Sequence, residues 1–437
     1  MNVKGVCECS KAELDLFSVP PLNTSMERGD QCIYHPISSL SDSGPIEFNV
    51  NASTEEYIDL GRTQLYVKLQ VTATDGGNLK ANAKVAPVNL LLHSLFSQVD
   101  VKLRDTLITP SVNTYPYQAY LETLLSYGND AKESQLSSEL WWSDHYDFNN
   151  ADIYNEDHKN HGMKKRSEFI SESKTLELMG RLHCDIFLQD RYLLNGVDMH
   201  VKLIRSNEMF HLLSADGAFN TKILGVSLHV RKVKINPNIA LMHSKQLDQG
   251  QLAKYPIRRS VVSTFTIPAG NFSFNKENVV SGQLPRRIVI GFVNNAAFNG
   301  DFKLNPYNFE HFDLDYLSLN MGSQSFPSQP LKPDFKNGDY LQAYMTLFQG
   351  TGMLHADRGH GIQRAHYCHG YTLYVFDLTA DMCEGSHMDP IKYGSLRMEV
   401  HFKTALQNTI NVVVYSEYDN LIQIDRARNI ITDFAAS

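Results

Sequence analysis

The 437-residue sequence predicts an all-β protein, and three observations support this class. Runs of alternating apolar and polar residues recur along the chain, helical spacing is rare, and the order of elements in the first half repeats in the second. The chain shows no alternation of strands with helices, which disfavours a parallel sheet. With 42% hydrophobic residues, it can bury two cores of ordinary size. We therefore expect two tandem eight-stranded antiparallel jelly rolls, with short helices in the loops between strands.

The domain boundaries follow from where the alternation begins and pauses. Residues 1–45 are rich in Ser, Pro, Asn and Asp and show no regular period, so we expect an N-terminal arm there. A first roll is expected at 46–240 and a second at 261–437, with a polar linker at 241–260 between them. This division gives each roll enough residues for a core of its own.

Strands of the first roll are predicted from alternation that begins near Glu55. In residues 64–71 every second side chain is apolar, the pattern of a strand with one face in a core and one in water. Such strands are typical of antiparallel sheets. Further runs with this pattern lie at 99–103, 182–188, 199–203 and 224–230.

The same kind of pattern restarts after residue 260. Polar segments again separate short apolar runs, as expected for a second sheet sandwich or barrel. The predicted strands of this half are 261–267, 287–293, 312–319, 371–378, 396–402, 410–415 and 421–424.

Helical spacing occurs at two places. In residues 117–127 the large apolar residues lie three or four positions apart, which predicts one apolar helix face. Thr114 can cap this helix and Gly128 can end it. Residues 341–348 repeat the spacing, with Asp339 as the possible cap. The large residues of this second helix are Leu341, Tyr344, Met345 and Phe348.

The two helices indicate an internal duplication. The segments YQAYLETLLSYG (117–128) and LQAYMTLFQGTG (341–352) lie 224 positions apart and share four identities. In both halves an alternating strand precedes the helix, and an insertion, a Met-x-Val strand and an aliphatic strand follow it. A duplicated module with loop insertions gives this order. The insertions are expected at about 129–175 and 323–370, and loops of this length usually carry function or build an interface.

The overall charge argues against a protein that wraps nucleic acid. The net charge is −8, so any packaged DNA would be contacted only indirectly. The N-terminal segment lacks the apolar core of a signal peptide, and no stretch approaches the roughly 18–20 apolar residues of a membrane span. The six cysteines are irregularly spaced, which indicates free thiols. We expect neither secretion by a standard signal nor a membrane span.

The richest group of potential metal ligands lies in the second insertion and just after it. Zinc sites usually present pairs of ligands with short regular spacing, which is missing here. We therefore expect a polar loop whose histidines could tune assembly with pH. The pair Cys7 and Cys9 is too close in sequence to chelate an ion alone. The residues of the group are His355, His360, His366, Cys368 and His369, with Cys383 and His387 downstream.

No catalytic motif stands out in the sequence. It contains no nucleophile elbow, phosphate-binding loop or dinucleotide fingerprint. A metal-dependent β-barrel enzyme of the cupin kind would need two or three histidines and a carboxylate on adjacent inward strands, a demand that the loop histidines do not meet. We expect no catalytic, cofactor-binding or metal-binding residues, no cofactor, and no enzymatic activity.

Three segments carry a resemblance to a known family. They are NLLLHSLFSQVDVKLRDTLI (89–108) with the YPYQAYLETLLSYG that follows, YTLYVFDL (371–378), and VVVYSEYDNLIQIDRARNIITDF (412–434). The chain resembles, from about residue 45 to its end, the double jelly-roll major capsid proteins of Polinton/Maverick elements and the related adintoviruses. The C-terminal segment is the most specific part of this resemblance.

The resemblance implies a major capsid protein found in the virion and assembled inside a host cell. Three copies would form a pseudo-hexagonal capsomer, and capsomers would tile an icosahedral shell around double-stranded DNA. The implied partners are further copies of the chain and a minor or penton capsid protein. In that arrangement the insertions would form outward towers and intersubunit clasps, and the arm would reach under a neighbouring subunit.

A second class of function remains open from the sequence. A jelly roll can also serve as a minor capsid protein or fibre, or as a carbohydrate- or receptor-binding module, including a captured genomic copy of a mobile element. Such a module would show one concave pocket with aromatic and polar residues and no higher assembly. Particle size in solution separates the two classes.

Overall fold

A computed structural model describes most of the chain. The described residues are 11–17, 19–40, 44–322, 324–382 and 387–434. Cys7, Cys9 and Cys383 lie outside these ranges, and the other three cysteines are free thiols.

The first half of the described chain contains ten strands. Strands β1, β10, β3 and β7 form one antiparallel sheet in that order, and β2, β8, β5 and β6 form a second. The short strands β4 and β9 pair with each other. The bounds are β1 Met26–Tyr34, β2 Ile46–Val50, β3 Glu56–Ala73, β4 Val85–Pro87, β5 Phe96–Leu103, β6 Thr106–Leu107, β7 Leu176–Gly180, β8 Met199–Arg205, β9 Leu212–Ser214 and β10 Phe219–Ile235.

The second half of the described chain contains nine strands. Strands β11, β18, β13 and β16 form one antiparallel sheet, to which β19 is added on β18, and β12, β17, β14 and β15 form the other. The bounds are β11 Ala253–Ile267, β12 Ser273–Gln283, β13 Arg287–Asn294, β14 Leu314–Met321, β15 Gln324–Leu331, β16 Leu373–Asp377, β17 Tyr393–Phe402, β18 Ile410–Ile424 and β19 Ile430–Thr432.

Both halves have the same strand order. When β4, β9 and β19 are set aside, each half has eight strands, of which the first, eighth, third and sixth form one sheet. The second, seventh, fourth and fifth form the facing sheet. Two four-stranded antiparallel sheets connected in this way are a jelly roll. The prediction of an all-β double jelly roll is confirmed.

Short helices fill the connections between strands. Helices α2 and α8 occupy equivalent places, each between the fifth and sixth strands of its roll, as the duplication predicted. In the described ranges, no helix is both long enough and apolar enough to cross a membrane. The bounds are α1 Leu91–Ser94, α2 Tyr115–Ser126, α3 Asn129–Glu133, α4 His161–Ile170, α5 Glu208–His211, α6 Pro237–Asp248, α7 Asn295–Asn299, α8 Leu341–Gly350 and α9 Arg364–Tyr367.

The first strand of the first roll lies in the segment that we expected to be an arm. Strand β1 pairs with β10, with Cys32 opposite Val230 and Tyr34 opposite Leu228. The prediction that regular structure begins near Glu55 was therefore wrong. The side chains of β1 are mostly exposed, so its polar sequence shows no apolar alternation, and pairing of its backbone at the sheet edge holds it in place.

Regular structure also occupies most of the expected linker at 241–260. Helix α6 begins after Asn236, whose side chain accepts a hydrogen bond from the Asn238 N–H, an N-cap. Strand β11 then starts at Ala253 and pairs with β18 along its whole length. The polar composition of this stretch reflects an exposed helix, because α6 buries only Leu247.

Other differences from the predicted elements have local causes. Residues 182–188 are not a strand: an extended segment leads into a 3-10 turn at Asp185–Leu188, and burial of its apolar side chains mimics strand alternation. The two strands predicted at 410–415 and 421–424 are one strand, β18. Strands β12 and β15 were missed because their sequences show no apolar alternation and most of their side chains are at least partly exposed.

Helix α2 is the structural link between the rolls. It lies in the first half of the sequence, yet its apolar side chains belong to the core of the second roll. The ring of Tyr120 stacks on that of Tyr307, with centroids 4.1 Å apart. In the other direction, Tyr255 and Ile422 of the second roll pack into the core of the first. Each core is therefore completed by residues from the other half.

The two predicted helices differ in how well their buried faces were identified. All of α2 from Tyr115 to Leu125 is buried, which includes the predicted face. Thr114 is the N-cap residue of α2, as predicted, but its hydroxyl donates a hydrogen bond to the Val262 carbonyl and does not cap the helix. The prediction for α8 was wrong, because Tyr340 and not Asp339 precedes that helix. The buried face of α8 consists of Ala343, Thr346, Leu347 and Gly350.

Close packing against β16 explains the face of α8. A Cβ atom at Gly350 would lie 2.5 Å from the Val375 side chain, so only a small residue allows the helix this close to the strand. The aromatic residues that we expected to be buried lie at the edge of this contact. There Tyr344 donates its hydroxyl hydrogen bond to the Ile362 carbonyl.

The burial of α2 gives a test of its role. Leu124 is 2% exposed, so replacing it by Ala should lower the free energy of unfolding by about 2–5 kcal/mol. Leu341→Ala in α8 is the matched control, since Leu341 is 49% exposed and should cost less than about 1 kcal/mol. Urea unfolding of both variants measures this, and equal losses would contradict the assignment of α2 to the core.

Candidate functional site at the seam between the two rolls

The border between the two rolls contains a buried group of ionisable side chains, which we call the seam cluster. Helix α1, helix α2, the 3-10 turn at Gln135–Glu139 and the extended segment after β7 contribute to it. Its members are at most 9% exposed and must find their hydrogen-bond partners inside the protein. The seam cluster comprises His93, Tyr115, Glu122, Glu139 and His183.

The two histidines lie at the centre of the seam cluster. Their rings meet edge to face, with centroids 4.6 Å apart. A hydrogen bond of 3.3 Å joins His93 Nε2 and Glu139 Oε2, and one of 2.9 Å joins His93 Nδ1 and the Tyr115 hydroxyl. His183 Nδ1 lies 2.7 Å from Glu122 Oε2. Each imidazole therefore has one nitrogen next to a carboxylate.

A chain of polar contacts continues from the seam cluster into the second roll. The Tyr415 hydroxyl lies 3.5 Å from Glu122 Oε1 and 3.0 Å from the Ser260 hydroxyl. The Ser260 N–H donates a 3.0 Å hydrogen bond to Asp185. Strands β11 and β18 are thus linked through side chains to α2 and to the segment after β7.

Burial dominates the electrostatics of the seam. It lowers the pKa of His93 and raises that of Asp185 well above the usual range, and the charge of Glu122 raises the Asp185 value further. Burial would also raise the pKa of Glu139, but the hydrogen bond from His93 and the two nearby imidazoles outweigh it and lower this pKa. Glu139 therefore stays charged more readily than Asp185 does.

The seam opens to solvent through a cleft of about 580 Å³. Glu122 and His183 lie on its inner wall, and Arg258, Arg287 and Glu417 lie on the side of the second roll. Arg287 pairs with Glu417 over 3.2 Å. A small ion or water molecule can enter the seam by this cleft.

A buried lysine connects the first insertion to the second. Lys132 Nζ donates hydrogen bonds to the carbonyls of Leu124, at 2.8 Å, and His360, at 2.6 Å, and lies 5.4 Å from the centre of the Trp141 ring. Burial lowers the pKa of Lys132 to about 7. Lys132 therefore joins α2 to the second insertion.

A buried ion pair fixes the rest of the first insertion. Arg166 Nη2 lies 2.7 Å from Asp144 Oδ1, and both side chains are fully buried. The same guanidinium donates hydrogen bonds to the carbonyls of Pro87 and Trp142. Arg166 of α4 thus anchors the insertion to β4.

The histidines predicted for the second insertion do not converge. His360 is buried against Thr351, at 3.0 Å, and burial together with the charges of Lys132 and Arg287 lowers its pKa to about 4. His366 packs on His145 of the first insertion, with ring centroids 4.4 Å apart. The other members take part in separate contacts or are exposed: Tyr146 packs on His369, Cys368 contacts Ala365, and His355 is exposed.

Metal-ligating geometry is found elsewhere. In the described ranges, two groups of three side chains have ligand atoms within 4.8 Å of one another, and neither includes residues 355–369. One is His93, Glu139 and His183, and the other is the more exposed group Asp381, His387 and Asp389. The first group was not predicted, because its members are far apart in the chain: His93 and Glu139 are separated by 46 positions.

Comparisons with known proteins agree with this fold. No family model matches the chain. An uncharacterized protein of Caenorhabditis elegans is 22% identical over 433 residues, which cover 95% of this chain and 99% of that protein.

Solved structures of viral proteins are similar over nearly the whole chain. A chain of the Sputnik virophage, solved by cryo-EM, has a TM-score of 0.67 and 13% identity, covering 99% of this chain and 94% of that one. The crystal structure of the mavirus major capsid protein has a TM-score of 0.53 and 11% identity, with 99% and 96% covered. The Faustovirus major capsid protein has a TM-score of 0.56 and 8% identity, with 93% and 92% covered. At these identities the likeness establishes the shared fold.

The pKa of Lys132 predicts a specific pH dependence. Its folded value of about 7 lies below the ordinary 10.5, so the folded state releases the proton first as pH rises. Stability should therefore increase above pH 7, by up to about 1.4 kcal/mol per pH unit toward pH 9. Lys132→Met should remove this increase in urea unfolding, whereas Lys164→Met, at an exposed site of α4, should keep it. Parallel profiles for wild type and Lys132→Met would refute the prediction.

The buried ion pair gives a second test. Arg166→Met leaves Asp144 as an unpaired buried carboxylate and should lower the free energy of unfolding by about 3–5 kcal/mol. Arg397→Met removes a pair with Glu277 at the surface and should cost no more than about 1 kcal/mol. Chemical denaturation compares the two, and similar losses would show that Arg166 is not an anchor.

Proposed function

We propose that this chain is the major capsid protein of a virus or of a virus-like mobile element. The observation that carries the proposal is a complete double jelly roll that matches the mavirus major capsid protein over 99% of this chain and 96% of that one. Both rolls and both insertions are thus accounted for by one known architecture. The proposed role is structural, without enzymatic activity, and the proposed location is the virion.

The duplicated strand order supports a threefold capsomer. Each chain has two rolls of the same topology, so a trimer contains six similar rolls. Such a trimer can occupy a position in a shell that is surrounded by six neighbouring capsomers. Capsomers of this shape would tile an icosahedral shell, with a minor or penton capsid protein at the remaining positions. Double-stranded DNA would be enclosed with little direct contact, in line with the net charge of −8.

A link to Polinton/Maverick elements or adintoviruses is the finer part of the proposal. It rests on the resemblance of three sequence segments, and it agrees with a relative of nearly the same length in the nematode Caenorhabditis elegans. An integrated element, or a captured genomic copy of one, would place such a chain in an animal genome.

The segment before β1 supports self-association. Its large apolar side chains are 71–98% exposed. Contact of so much apolar surface with water is unfavourable in an isolated monomer. We assign them to contact with a neighbouring subunit. The residues are Leu14, Leu16, Phe17, Val19 and Leu22.

Size-exclusion chromatography with multi-angle light scattering tests the assembly. The expected mass is three times 49.5 kDa, with hexagonal outlines or shells in negative-stain images. A variant that carries Leu14→Ser, Leu16→Ser and Phe17→Ser should assemble less, whereas Lys11→Ser with Glu13→Ser in the same segment should assemble normally. A monomer that never assembles across pH and salt would contradict the proposal and favour a binding module.

A further inference from the structure

The seam cluster has an unusual charge composition. It holds two buried carboxylates, Glu122 and Glu139, whose side-chain hydrogen bonds involve His93, His183 and the neutral groups Gln118 and Tyr415. Two negative charges in a dry environment are costly unless positive charge compensates them. The imidazoles of His93 and His183 are the cluster's own side chains that can carry positive charge, and both are buried. A divalent cation would compensate both carboxylates and leave the imidazoles neutral.

The ligand atoms are arranged for such a cation. His93 Nε2 and Glu139 Oε2 are 3.3 Å apart, close to the separation of two ligands on one tetrahedral ion. The ligand atoms of His93, Glu139 and His183 all lie within 4.8 Å of one another. Small side-chain movements would bring all three onto one ion, with water at the fourth position.

The groups behind the histidines complete the arrangement. Metal-bound histidines usually donate their second N–H to a carboxylate or another oxygen, which fixes the ring and its tautomer. Glu122 takes this place for His183, at 2.7 Å from Nδ1, and the Tyr115 hydroxyl takes it for His93, at 2.9 Å. In both rings Nε2 would then face the ion, and at His183 the ion would replace the 3.3 Å contact between Nε2 and the Thr123 hydroxyl.

From these observations we infer that His93, Glu139 and His183 form a structural site for a divalent transition metal, with Zn²⁺ the best match. Two imidazoles and one carboxylate are ligands that zinc accepts readily. The sequence predicted no metal site, because these ligands do not have the short spacing of common zinc motifs. The ion would tie α1 and the first insertion to the segment after β7, and the seam cleft gives it a route of entry.

Metal analysis of the intact, tag-free protein tests the inference independently of capsid assembly. Mass spectrometry of metals should find about one zinc per chain. Chelation should lower the melting temperature by several degrees, and added zinc should restore it. Cobalt added to the chelated protein should give the visible absorption bands of a tetrahedral site with nitrogen and oxygen ligands.

Variants assign the ion to the seam. His93→Asn and Glu139→Gln should lose zinc binding, and Glu122→Gln should weaken it about tenfold or more through loss of the group behind His183. His211→Asn is the matched control, because His211 is also buried in the first roll but bonds to Thr221 outside the cluster. Asp389→Asn tests the second group of potential ligands and should leave zinc binding unchanged.

Results with the wild-type protein or with the variants would overturn the inference. One is a wild-type protein that takes up neither zinc nor cobalt, a result that does not depend on whether the variants fold. The other is full zinc content in His93→Asn or its loss in Asp389→Asn. Failure of the protein to form trimers would refute the proposed function and leave this site untouched.

Discussion

The structure depends on the exchange of buried side chains between the two rolls. Helix α2 leaves the first roll and fills the core of the second, where Tyr120 stacks on Tyr307. The ends of β11 and β18 reach back, so that Ile422 and Ile424 lie in the core of the first roll. Neither roll can bury its apolar surface without the other, and hydrophobic burial is the main favourable contribution to folding. The two rolls therefore behave as one folding unit despite their duplicated topology.

The exchange also buries polar side chains at the seam. Side chains such as Glu122 on α2 and Tyr415 on β18 are largely buried at the seam, where each unpaired polar group costs about 1–3 kcal/mol. A continuous set of hydrogen bonds from His183 through Glu122 to Tyr415 pairs these buried polar groups. Such contacts have strict geometry, whereas apolar contacts tolerate sliding. The seam cluster thus adds directional contacts between α2 and β18 to the apolar ones.

Alternation of apolar residues predicted the strands that bury only one of their two faces. The residues Leu65, Val67, Leu69 and Val71 of β3 are fully buried and were identified correctly. Strands such as β1 and β12 were not predicted, because their side chains are mostly polar and exposed. The backbone pairing that defines these strands cannot be recognised from their composition. The predicted buried face of α8 was wrong, because the face that packs closely against Val375 is the buried one and it does not carry the largest side chains.

The seam cluster lay beyond prediction for a different reason. His93 and Glu139 are 46 residues apart, and His183 follows in another segment, so only the folded chain brings them together. The helix α2 itself was predicted, with a correct apolar face, but Glu122 on that helix looks like an ordinary surface residue in the sequence. Local periodicity reports which side chains leave water, and it carries no information about which partner segment they meet.

The same exchange explains how the fold can tolerate its long insertions. The first insertion is fixed by Arg166 to β4, and Lys132 joins it to His360 of the second insertion. Both insertions are therefore held against the unit to which α2 belongs. In the proposed capsomer, outward loops could then vary in length and sequence while the walls built from the eight-stranded rolls keep their relative position. Rigid walls with adaptable loops are the combination that a closed shell of repeated subunits requires.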